Sequence, residues 1–359
     1  MKRVVYLLGA GFSAPLGIPI MSEFIRKSHK LRREHSEFAY FDDVFKEIKT
    51  VQGTGNYFRG EPFNIEEILS ILEMSRRLDE GTSFSLFERY ICDVVKCCTP
   101  KIEPQDLKKV RGNWDSEFFS IGSGLVNSYG CFVASLLGLT LQGRNVDVET
   151  VVKQEIEVLQ ANPRETAYSV VTLNYDMVLD KILSVIKGQL VEYIAPNVIR
   201  YDGMKNLPDP LKIVKVHGSV EDQSIIPPTF NKGLYLTDLP VAWGEAFDAL
   251  KRANEIRIIG YSLPNSDAYI QYILKGAIIQ QQELEQVDII CWDPDGKVNQ
   301  RYQTFVSYPN FHFYNRKTEE YLEIVRASLK VNSERLSRDI RRIVSFDHLE
   351  DAHKKFCAE

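Results

Sequence analysis

The sequence predicts an α/β fold in which a parallel sheet carries helices on both faces. Short runs of β-branched and aromatic residues alternate along the chain with segments of helical periodicity. This alternation is typical of a parallel sheet, because each parallel pair of strands needs a crossover connection. The short runs are also almost continuously apolar, which indicates central strands covered on both faces. We therefore expect a Rossmann-like parallel sheet with an added helical insertion.

Six strands are expected, the last of them from the shortest run. In chain order they are Arg3–Leu8, Tyr168–Leu173, Lys212–Val216, Glu255–Ile259, Val287–Trp292 and Phe311–Tyr314.

The long segment between the first two strands is expected to be helical. Helical periodicity covers Phe63–Tyr90, Trp114–Leu137 and Val146–Ala161. Asn64 stands at a capping position before two acidic residues of the first of these helices. Beyond the last strand, Lys317–Leu329 is expected to form a helix.

The predicted elements divide the chain into three parts. Charged amphipathic patterns at Ser333–Lys355 predict one or two further helices at the end of the chain. The expected division is a discontinuous sheet domain at 1–36 and 162–330, a helical insertion at 37–161 and a C-terminal helical tail at 331–359.

Composition excludes several classes of protein. The chain has 359 residues, of which 44% are hydrophobic, and a net charge of −5. A strongly basic nucleic-acid surface is therefore not expected. The six cysteines include no C-x-x-C pair, which suits neither a zinc ribbon nor a disulfide framework, and a cytoplasmic protein with reduced thiols is expected. Cys97 and Cys98 are expected to pack in a helical core.

The apolar run at Val4–Met21 imitates a signal peptide. It contains three glycines and two prolines, which would break a membrane-embedded helix. A buried strand leaving into a glycine-rich loop explains these residues better, and no membrane association is expected.

The turn Gly9–Ala14 has the spacing G-x-G-x-x-A directly after the first strand. Glycines in such a turn let the backbone approach a pyrophosphate, and a following helix N-terminus offers unpaired N–H groups. An NAD dehydrogenase would carry an acidic residue after a second strand about 20 residues later. The basic segment Arg26–Arg33 stands there instead, and it is expected to be a solvated helix face. A plain dehydrogenase is therefore not expected.

Polar residues also follow the later strands where each of them ends. Because the carboxyl ends of parallel strands share one edge of the sheet, these residues are expected to converge on a ligand there. They are Asn174 and Asp176, His217 and Ser219, Gly260 and Ser262, and Asp293.

These motifs, in this order, resemble the motif set of the sirtuin (SIR2) superfamily. The set is Gly9–Ser13 with Gly17-Ile18-Pro19, Thr172–Asp176, His217-Gly218 and Gly260–Ser262. The forms T-L-N-Y-D, V-H-G-S and I-I-G-Y-S-L-P resemble the SIR2-like NADase branch of bacterial antiphage defence proteins. The resemblance covers residues 3–25 and about 168–315, and leaves out the insertion and the tail.

Two features depart from the sirtuin deacetylases. The chain lacks the four cysteines of their structural zinc module, and Pro19 is followed by Ile20-Met21-Ser22 in place of their acidic-aromatic-arginine turn. Both departures put protein deacylation in doubt and leave NAD binding intact.

The resemblance implies roles for individual residues. Asn174 would lie beside the nicotinamide ribose, Asp176 would grip the nicotinamide carboxamide, and His217 would face the ribose hydroxyls as a base or polarising group. The remaining NAD contacts implied are Gly9, Ala10, Gly11 and Ser13 at the diphosphate, Pro19, Gly260 and Ser262, and Asp293 at the adenosine ribose. No metal is required for this chemistry.

Each residue also has a structural alternative. Ser13 could cap a helix, Asn174 and Asp176 could form an Asx turn, and Ser262 or Asp293 could serve only its loop. His217 could be structural. The other histidines show no partner spacing and are expected to be surface or structural residues.

The function expected is NAD+ hydrolysis to nicotinamide and ADP-ribose or a cyclic form. The resemblance implies a toxic effector that depletes NAD during phage infection, restrained as a homo-oligomer or by a regulatory partner protein of the same defence system. Two alternatives stay open: an NAD-dependent protein deacylase, and a non-catalytic subunit that senses NAD or ADP-ribose.

Overall fold

Twelve strands and twelve α-helices appear in the part of the chain that the computed structural model describes. That part is residues 1–53, 64–78, 85–103, 124–148, 151–158, 165–193, 211–221, 224–229, 240–265, 267–279, 283–336 and 339–359. The strands are β1 Lys2–Leu8, β2 Thr140–Val148, β3 Val151–Val158, β4 Thr166–Thr172, β5 Lys212–Lys215, β6 Gly218–Ser219, β7 Ser224–Ile225, β8 Glu255–Ile259, β9 Gln286–Ile290, β10 Phe311–Tyr314, β11 Lys330–Leu336 and β12 Asp339–Ser345. The helices are α1 Ala10–Ser13, α2 Phe24–Glu34, α3 Phe41–Gln52, α4 Ile65–Leu78, α5 Ser85–Cys98, α6 Gly124–Leu137, α7 Val178–Tyr193, α8 Pro240–Lys251, α9 Ala268–Ile279, α10 Lys297–Phe305, α11 Thr318–Ala327 and α12 Leu349–Ala358.

The central sheet is parallel throughout and has the order β10-β9-β8-β1-β4-β5. Numbered along the chain, its six strands run 6-5-4-1-2-3, the order of a doubly wound dinucleotide-binding sheet. The α/β fold class predicted from the sequence is confirmed. The order reverses between β1 and β8, so the loops that leave these two strands lie at the switch point where such sheets bind ligands.

Alternate residues of β1 feed the two hydrophobic layers that cover the sheet. Val4 and Tyr6 face α6, α7, α11 and α12, whereas Val5 and Leu7 face α8, α9 and α10. Both sets are almost completely buried, as expected for a central strand whose successive side chains point to opposite faces. The sheet is therefore fixed from both sides, which holds its carboxyl edge rigidly.

A third hydrophobic core is helical and lies beside that edge. It is built from α2, α3, α4 and α5 and also takes in Tyr175 and Val220 from the loops after β4 and β6. Phe41 and Tyr90 pack edge to face at its centre, with ring centroids 4.8 Å apart. Asn64 accepts a hydrogen bond of 3.0 Å from the backbone N–H of Glu66, so the predicted cap is confirmed. The helical insertion thus supports the strand-end loops.

Two helix predictions are wrong. Val146–Ala161 was expected to be a helix, but β2 and β3 form an antiparallel hairpin there, and the first half of Ser333–Lys355 lies largely in β11 and β12. The four strands make a second sheet of order β11-β12-β2-β3. Short apolar runs do not distinguish helix from strand by periodicity. Here each segment pairs with its own neighbour in a hairpin, and β12 of one hairpin pairs with β2 of the other. Only α12 preserves the helical tail.

Other expectations were partly met. Trp114–Leu137 is helical from Gly124 onward, and residues 104–123 lie outside the described residues. Phe63–Tyr90 contains the whole of α4 and the start of α5, and residues 79–84 also lie outside. Cys97 is exposed rather than packed in a core, because it points outward in the last turn of α5, and Cys98 is half-buried. No helix among the described residues has the length and apolar character needed to span a bilayer.

A row of polar side chains crosses the face of the sheet that α12 covers. Tyr6, Arg257, Asp288 and His312 are direct neighbours in the strand register of β1, β8, β9 and β10. We call this row the polar ladder. Arg257 is 1% exposed and donates to the Tyr6 hydroxyl at 2.8 Å. A buried row of this kind needs partners from the covering helix, and α12 supplies them.

Candidate functional site

The loops that follow β1 and β8 touch each other through glycines. The N–H of Gly11 donates to the carbonyl oxygen of Gly260 at 2.8 Å. Gly260 has a φ of +66°, and a Cβ atom on it would lie 2.1 Å from the backbone nitrogen of Phe12. A Cβ atom on Gly9 would lie 2.7 Å from the Gly260 oxygen. The glycines are therefore required by close packing of two backbones at the switch point, whether or not a pyrophosphate also lies there.

The helix after the glycine turn is shorter than the nucleotide fingerprint implies. α1 spans only Ala10–Ser13 and continues into a 3-10 turn at Ala14–Leu16. Pro15 in that turn and Gly17, with a φ of +92°, end it. A single turn aligns few peptide dipoles, so the N–H groups of the loop, rather than a helix dipole, are what it can offer an anion. Pro19 is buried beyond this turn.

Asn174 joins the β4 loop to the glycine turn. Its side-chain nitrogen donates to the Gly9 carbonyl oxygen at 2.9 Å and to the Ser13 hydroxyl at 3.1 Å. The side chain is 8% exposed. Because these bonds use both amide hydrogens, the amide oxygen is the atom that Asn174 can offer to a ligand hydroxyl.

Asp176 lies in the same loop as Asn174. Ser13 lies beside its carboxyl group, and the backbone N–H of Val178 donates to Oδ1 at 3.0 Å. The Val178 bond forms the Asx turn named above as the structural alternative for Asp176, and it caps α7. Burial raises the pKa of Asp176, against the opposing effect of the Val178 N–H and of Ser13. A carboxyl group with a raised pKa can carry a proton and then donate to a carbonyl oxygen.

His217 lies after β5 and is 4% exposed. Its Nδ1 is 3.1 Å from the carbonyl oxygen of Leu173, the residue before Asn174. A carbonyl oxygen only accepts, so Nδ1 carries the proton and Nε2 carries the lone pair of the neutral ring. The rings of Tyr175 and Trp243 lie with their centroids 6.1 and 6.0 Å from the imidazole. The imidazole is therefore held in one tautomer with Nε2 as its basic atom.

The structure thus brings most of the predicted residues together. Asn174 hydrogen-bonds Gly9 and Ser13, and Asp176 lies beside Ser13. Backbone contacts add the neighbouring glycines of the two loops. His217 joins them through Leu173. We call this set the strand-end cluster, and its members are Gly9, Gly11, Ser13, Asn174, Asp176, His217 and Gly260.

Two other predicted residues are committed to their own loops. Asp293 is 2% exposed, and its two carboxylate oxygens accept the N–H groups of Val298 and Asn299 at 3.1 and 2.8 Å. Asp293 therefore holds the first turn of α10 in place, and each of its carboxylate oxygens keeps one lone pair. Ser262 is half-buried, and its carbonyl oxygen accepts from Arg301 at 2.9 Å. Neither residue has a described hydrogen bond to the strand-end cluster.

Two contacts to the glycine turn were missed in the sequence. The Thr318 hydroxyl, at the start of α11, donates to the Gly11 carbonyl oxygen at 3.1 Å. The Tyr129 hydroxyl, in α6, donates to the Phe12 carbonyl oxygen. Single residues on distant helices carry no motif, so only the acidic first turn of α11 could have hinted at a helix start there.

Two cavities lie outside the strand-end cluster. One of about 550 Å³ is at the opposite, amino edge of the sheet and is lined by Arg3, Thr166 and Lys212 among others. Another of about 250 Å³ lies between the end of α5 and the start of α7, where Met177 and Lys181 line it. Neither is lined by a residue of the cluster. The cluster is therefore defined by the contacts among its residues.

Comparison with known proteins gives structural matches only. No protein-family model and no curated protein sequence matches the chain. Solved structures of Sir2 do match it. A Sir2 complex with a p53 peptide and NAD+ is 12% identical, with 91% of this chain and 92% of that one covered and a TM-score of 0.36. Sir2 bound to an acetylated peptide gives the same four values.

A third match is Sir2 with the inhibitor EX-527, 2'-O-acetyl-ADP-ribose and a deacetylated p53 peptide. It is 14% identical, covers 91% of this chain and 93% of its own, and has a TM-score of 0.32. Similarity at this level is a resemblance to Sir2 proteins and does not by itself establish a shared activity.

Proposed function

We propose that the chain is an NAD+ hydrolase that cleaves the bond between nicotinamide and ribose. The observation that carries the proposal is the strand-end cluster itself. An amide, a carboxyl group of raised pKa and an imidazole of fixed tautomer lie together, buried, at the carboxyl edge of a sheet with the dinucleotide-binding strand order, and the amide contacts the glycine turn at the switch point. Their order in the chain also resembles the sirtuin motif set.

The chemistry needs little acid catalysis, because nicotinamide in NAD+ is a cationic leaving group. As the C–N bond breaks, its electron pair neutralises the pyridinium nitrogen, and a water oxygen bonds to the ribose carbon. The Asn174 amide oxygen would orient a ribose hydroxyl or that water, and the Asp176 carboxyl group would hydrogen-bond the nicotinamide carboxamide. His217 Nε2 would take the proton released by the water. Because the cluster is buried, bulk solvent would be kept away and only the oriented water would reach the ribose carbon.

A three-arm assay tests the proposal. Purified chain is incubated with NAD+ alone, with NAD+ and an acyl-lysine peptide, and as the His217→Ala variant with NAD+ alone, and nicotinamide and ADP-ribose are quantified. We expect release without peptide and a loss of roughly 10²- to 10⁴-fold in His217→Ala. The exposed His35 provides the matched control, because His35→Ala should hydrolyse NAD+ normally.

The other outcomes identify the alternatives. Nicotinamide release that occurs only with the acyl-lysine peptide would mean a deacylase. Saturable binding of NAD+ or ADP-ribose without any turnover would mean a sensing subunit. Either result would overturn the hydrolase proposal.

We further propose that the activity is toxic and restrained, as the resemblance to antiphage NADases implies. A homo-oligomer or a partner protein encoded nearby would hold the enzyme inactive until infection. Cells that express the wild-type chain with its neighbouring genes should lose NAD on phage infection, whereas cells with His217→Ala should keep it. Unchanged NAD in both strains would count against an effector role.

A further inference from the structure

A second cluster of reactive side chains lies where α12 covers the polar ladder. Asp288 of β9 and His353 of α12 are 0% and 3% exposed, and Cys357 lies one helical turn after His353. One ligand atom from each residue lies within 4.8 Å of the other two. No motif in the sequence indicates this cluster, because Asp288 is 65 residues away from His353.

All three groups converge on one nitrogen. His353 Nε2 is 2.9 Å from Asp288 Oδ2 and 3.6 Å from Cys357 Sγ. In a Cys-His-Asp catalytic relay, the thiol and the carboxylate contact opposite nitrogens of the ring, so that the ring can pass a proton between them. Here they contact the same nitrogen. This arrangement does not suit a nucleophilic cysteine, but it does suit three ligands around one ion.

The spacing fits a tetrahedral ion. With Zn–S of about 2.3 Å and Zn–N of about 2.0–2.1 Å, a tetrahedral angle places sulfur and nitrogen about 3.6 Å apart, and the observed Cys357–His353 distance is 3.6 Å. The same geometry places a carboxylate oxygen about 3.3 Å from the nitrogen. Asp288 Oδ2, at 2.9 Å, would need to withdraw by only a few tenths of an ångström.

The surroundings orient the ligands. His312 Nδ1 is 3.0 Å from Asp288 Oδ1, the oxygen that faces away from His353. This contact would hold the carboxylate with Oδ2 toward an ion, as second-sphere partners do in known metal sites. Gln286 also donates to Oδ2, at 2.5 Å. Zinc binding would release the proton through which His353 Nε2 hydrogen-bonds Asp288 Oδ2, because a metal takes the lone pair of that nitrogen.

We propose that Asp288, His353 and Cys357 form a structural zinc site that clasps α12 to the sheet. A thiolate, an imidazole and a carboxylate are the three ligand types that zinc accepts, and the mixed set is too soft for magnesium or calcium. Water would complete the tetrahedron. Zinc binding would release the thiol proton of Cys357, because the thiolate is the ligand. The site is separate from the strand-end cluster and takes no part in the proposed hydrolysis.

The proposal is tested on the full chain after removal of metal with a chelator. Zinc is titrated against a chromophoric competitor, and cobalt is added in parallel because a cobalt–thiolate bond gives a charge-transfer absorption. We expect a single tight zinc equivalent per chain, a cobalt–thiolate band, and a thermal midpoint that rises with zinc concentration.

Variants assign the ligands. Cys357→Ser should abolish the cobalt–thiolate band and the thermal shift, and its far-ultraviolet circular dichroism reports whether the metal-free fold survives. Cys97→Ser is the matched control, since Cys97 is also in the last turn of a helix but is exposed, and it should behave as wild type. His312→Ala should weaken zinc binding by roughly 10- to 100-fold, as loss of a second-sphere partner does.

Three results would overturn the proposal. The first is a wild-type chain that takes up no zinc tightly and shows no thermal shift. The second is a cobalt–thiolate band that persists in Cys357→Ser. The third is equal loss of the band in Cys97→Ser, which would place the metal at other thiols.

Discussion

Gly260 shows how one residue fixes the switch point. Its left-handed backbone turns the chain away from β8, and its missing side chain lets the Gly9–Ser13 turn approach. The spacing of the glycines was visible in the sequence and suggested a phosphate loop. The structure adds a second cause, backbone against backbone, that no sequence pattern separates from the first.

A pair of alanine variants separates the cost of the left-handed backbone from the cost of overlap between the two loops. Gly296 has a φ of +74° with nothing within 4 Å of a Cβ atom, so Gly296→Ala should cost only the left-handed conformation, about 1–2 kcal/mol. Gly260→Ala adds overlap with Phe12 and should cost about 3–5 kcal/mol. Urea unfolding of both variants measures this difference, and equal losses would mean that the two loops do not touch.

Asp176 should show the conflict between stability and activity that marks a functional site. Its folded-state pKa is raised above the ordinary value of 3.8 by burial. The folded chain therefore holds the proton longer than the unfolded chain, and stability falls as pH rises above about 4. Asp176→Asn removes this loss and keeps an oxygen for the Val178 cap. The variant should be more stable than wild type at neutral pH, while NAD+ hydrolysis falls.

Urea unfolding across a pH series, with a nicotinamide assay on the same samples, checks both effects. A variant that is less stable than wild type at every pH would show that Asp176 is a purely structural cap.

At the scale of elements, α12 is attached to the sheet by charge. Glu350 accepts from Arg257 at 2.9 Å, from Lys2 at 3.0 Å and from the Tyr168 hydroxyl at 2.9 Å. Burial alone would raise the pKa of Glu350, but Arg257 and Lys2 outweigh it and hold the pKa at about 2, against an ordinary value of 4.5. Glu255 of β8 also pairs with Arg257 and Lys2, at 2.6 and 2.5 Å. Glu350 is the carboxylate that joins α12 to this network.

The pH dependence of that network follows from the direction in which the pKa of Glu350 is shifted. A pKa depressed in the folded state stabilises the fold above pH 4.5, and the stability is lost as pH falls toward 2. Glu350→Gln should lower the free energy of unfolding at neutral pH by about 3 kcal/mol and flatten its decline between these two values. Glu323→Gln, on the exposed face of α11, is the control. Parallel pH profiles for wild type and Glu350→Gln would contradict the docking account.

The second sheet joins the insertion to the C-terminal part of the chain. Its strands lie largely where helices were predicted. The register pairs Gln142 of β2 with Ile343 of β12. Cysteines at both positions should form a disulfide, since paired residues lie about 4.5–5.5 Å apart between Cα atoms. Cysteines at Gln142 and Arg341, one diagonal away, should not. Mass spectrometry of oxidised protein distinguishes the pairs, and cross-linking of the diagonal pair alone would mean a different register.

At the scale of the whole molecule, local sequence patterns predicted the central strands, whereas contacts between distant segments were not predicted. Each central strand was located to within two residues, because runs such as Val4–Leu8 are too short for a buried helix and rich in β-branched and aromatic residues, which favours a doubly covered strand. The strand-end cluster was predicted because its residues follow those strands directly. The partners of Asp288 and of the Gly11 carbonyl were not, because they come from helices whose position only the folded chain defines.

We propose that four strand-end loops, far apart from one another in the sequence, form one dinucleotide site. Hydrogen exchange with mass spectrometry tests it most directly, with and without an NAD+ analogue in which carbon replaces the oxygen of the nicotinamide ribose ring, so that the analogue cannot be cleaved. We expect exchange to slow together in the peptides that contain Gly9–Ser13, Asn174–Asp176, His217 and Gly260–Ser262. Saturating analogue that leaves all four unchanged, or protects only other segments, would contradict it.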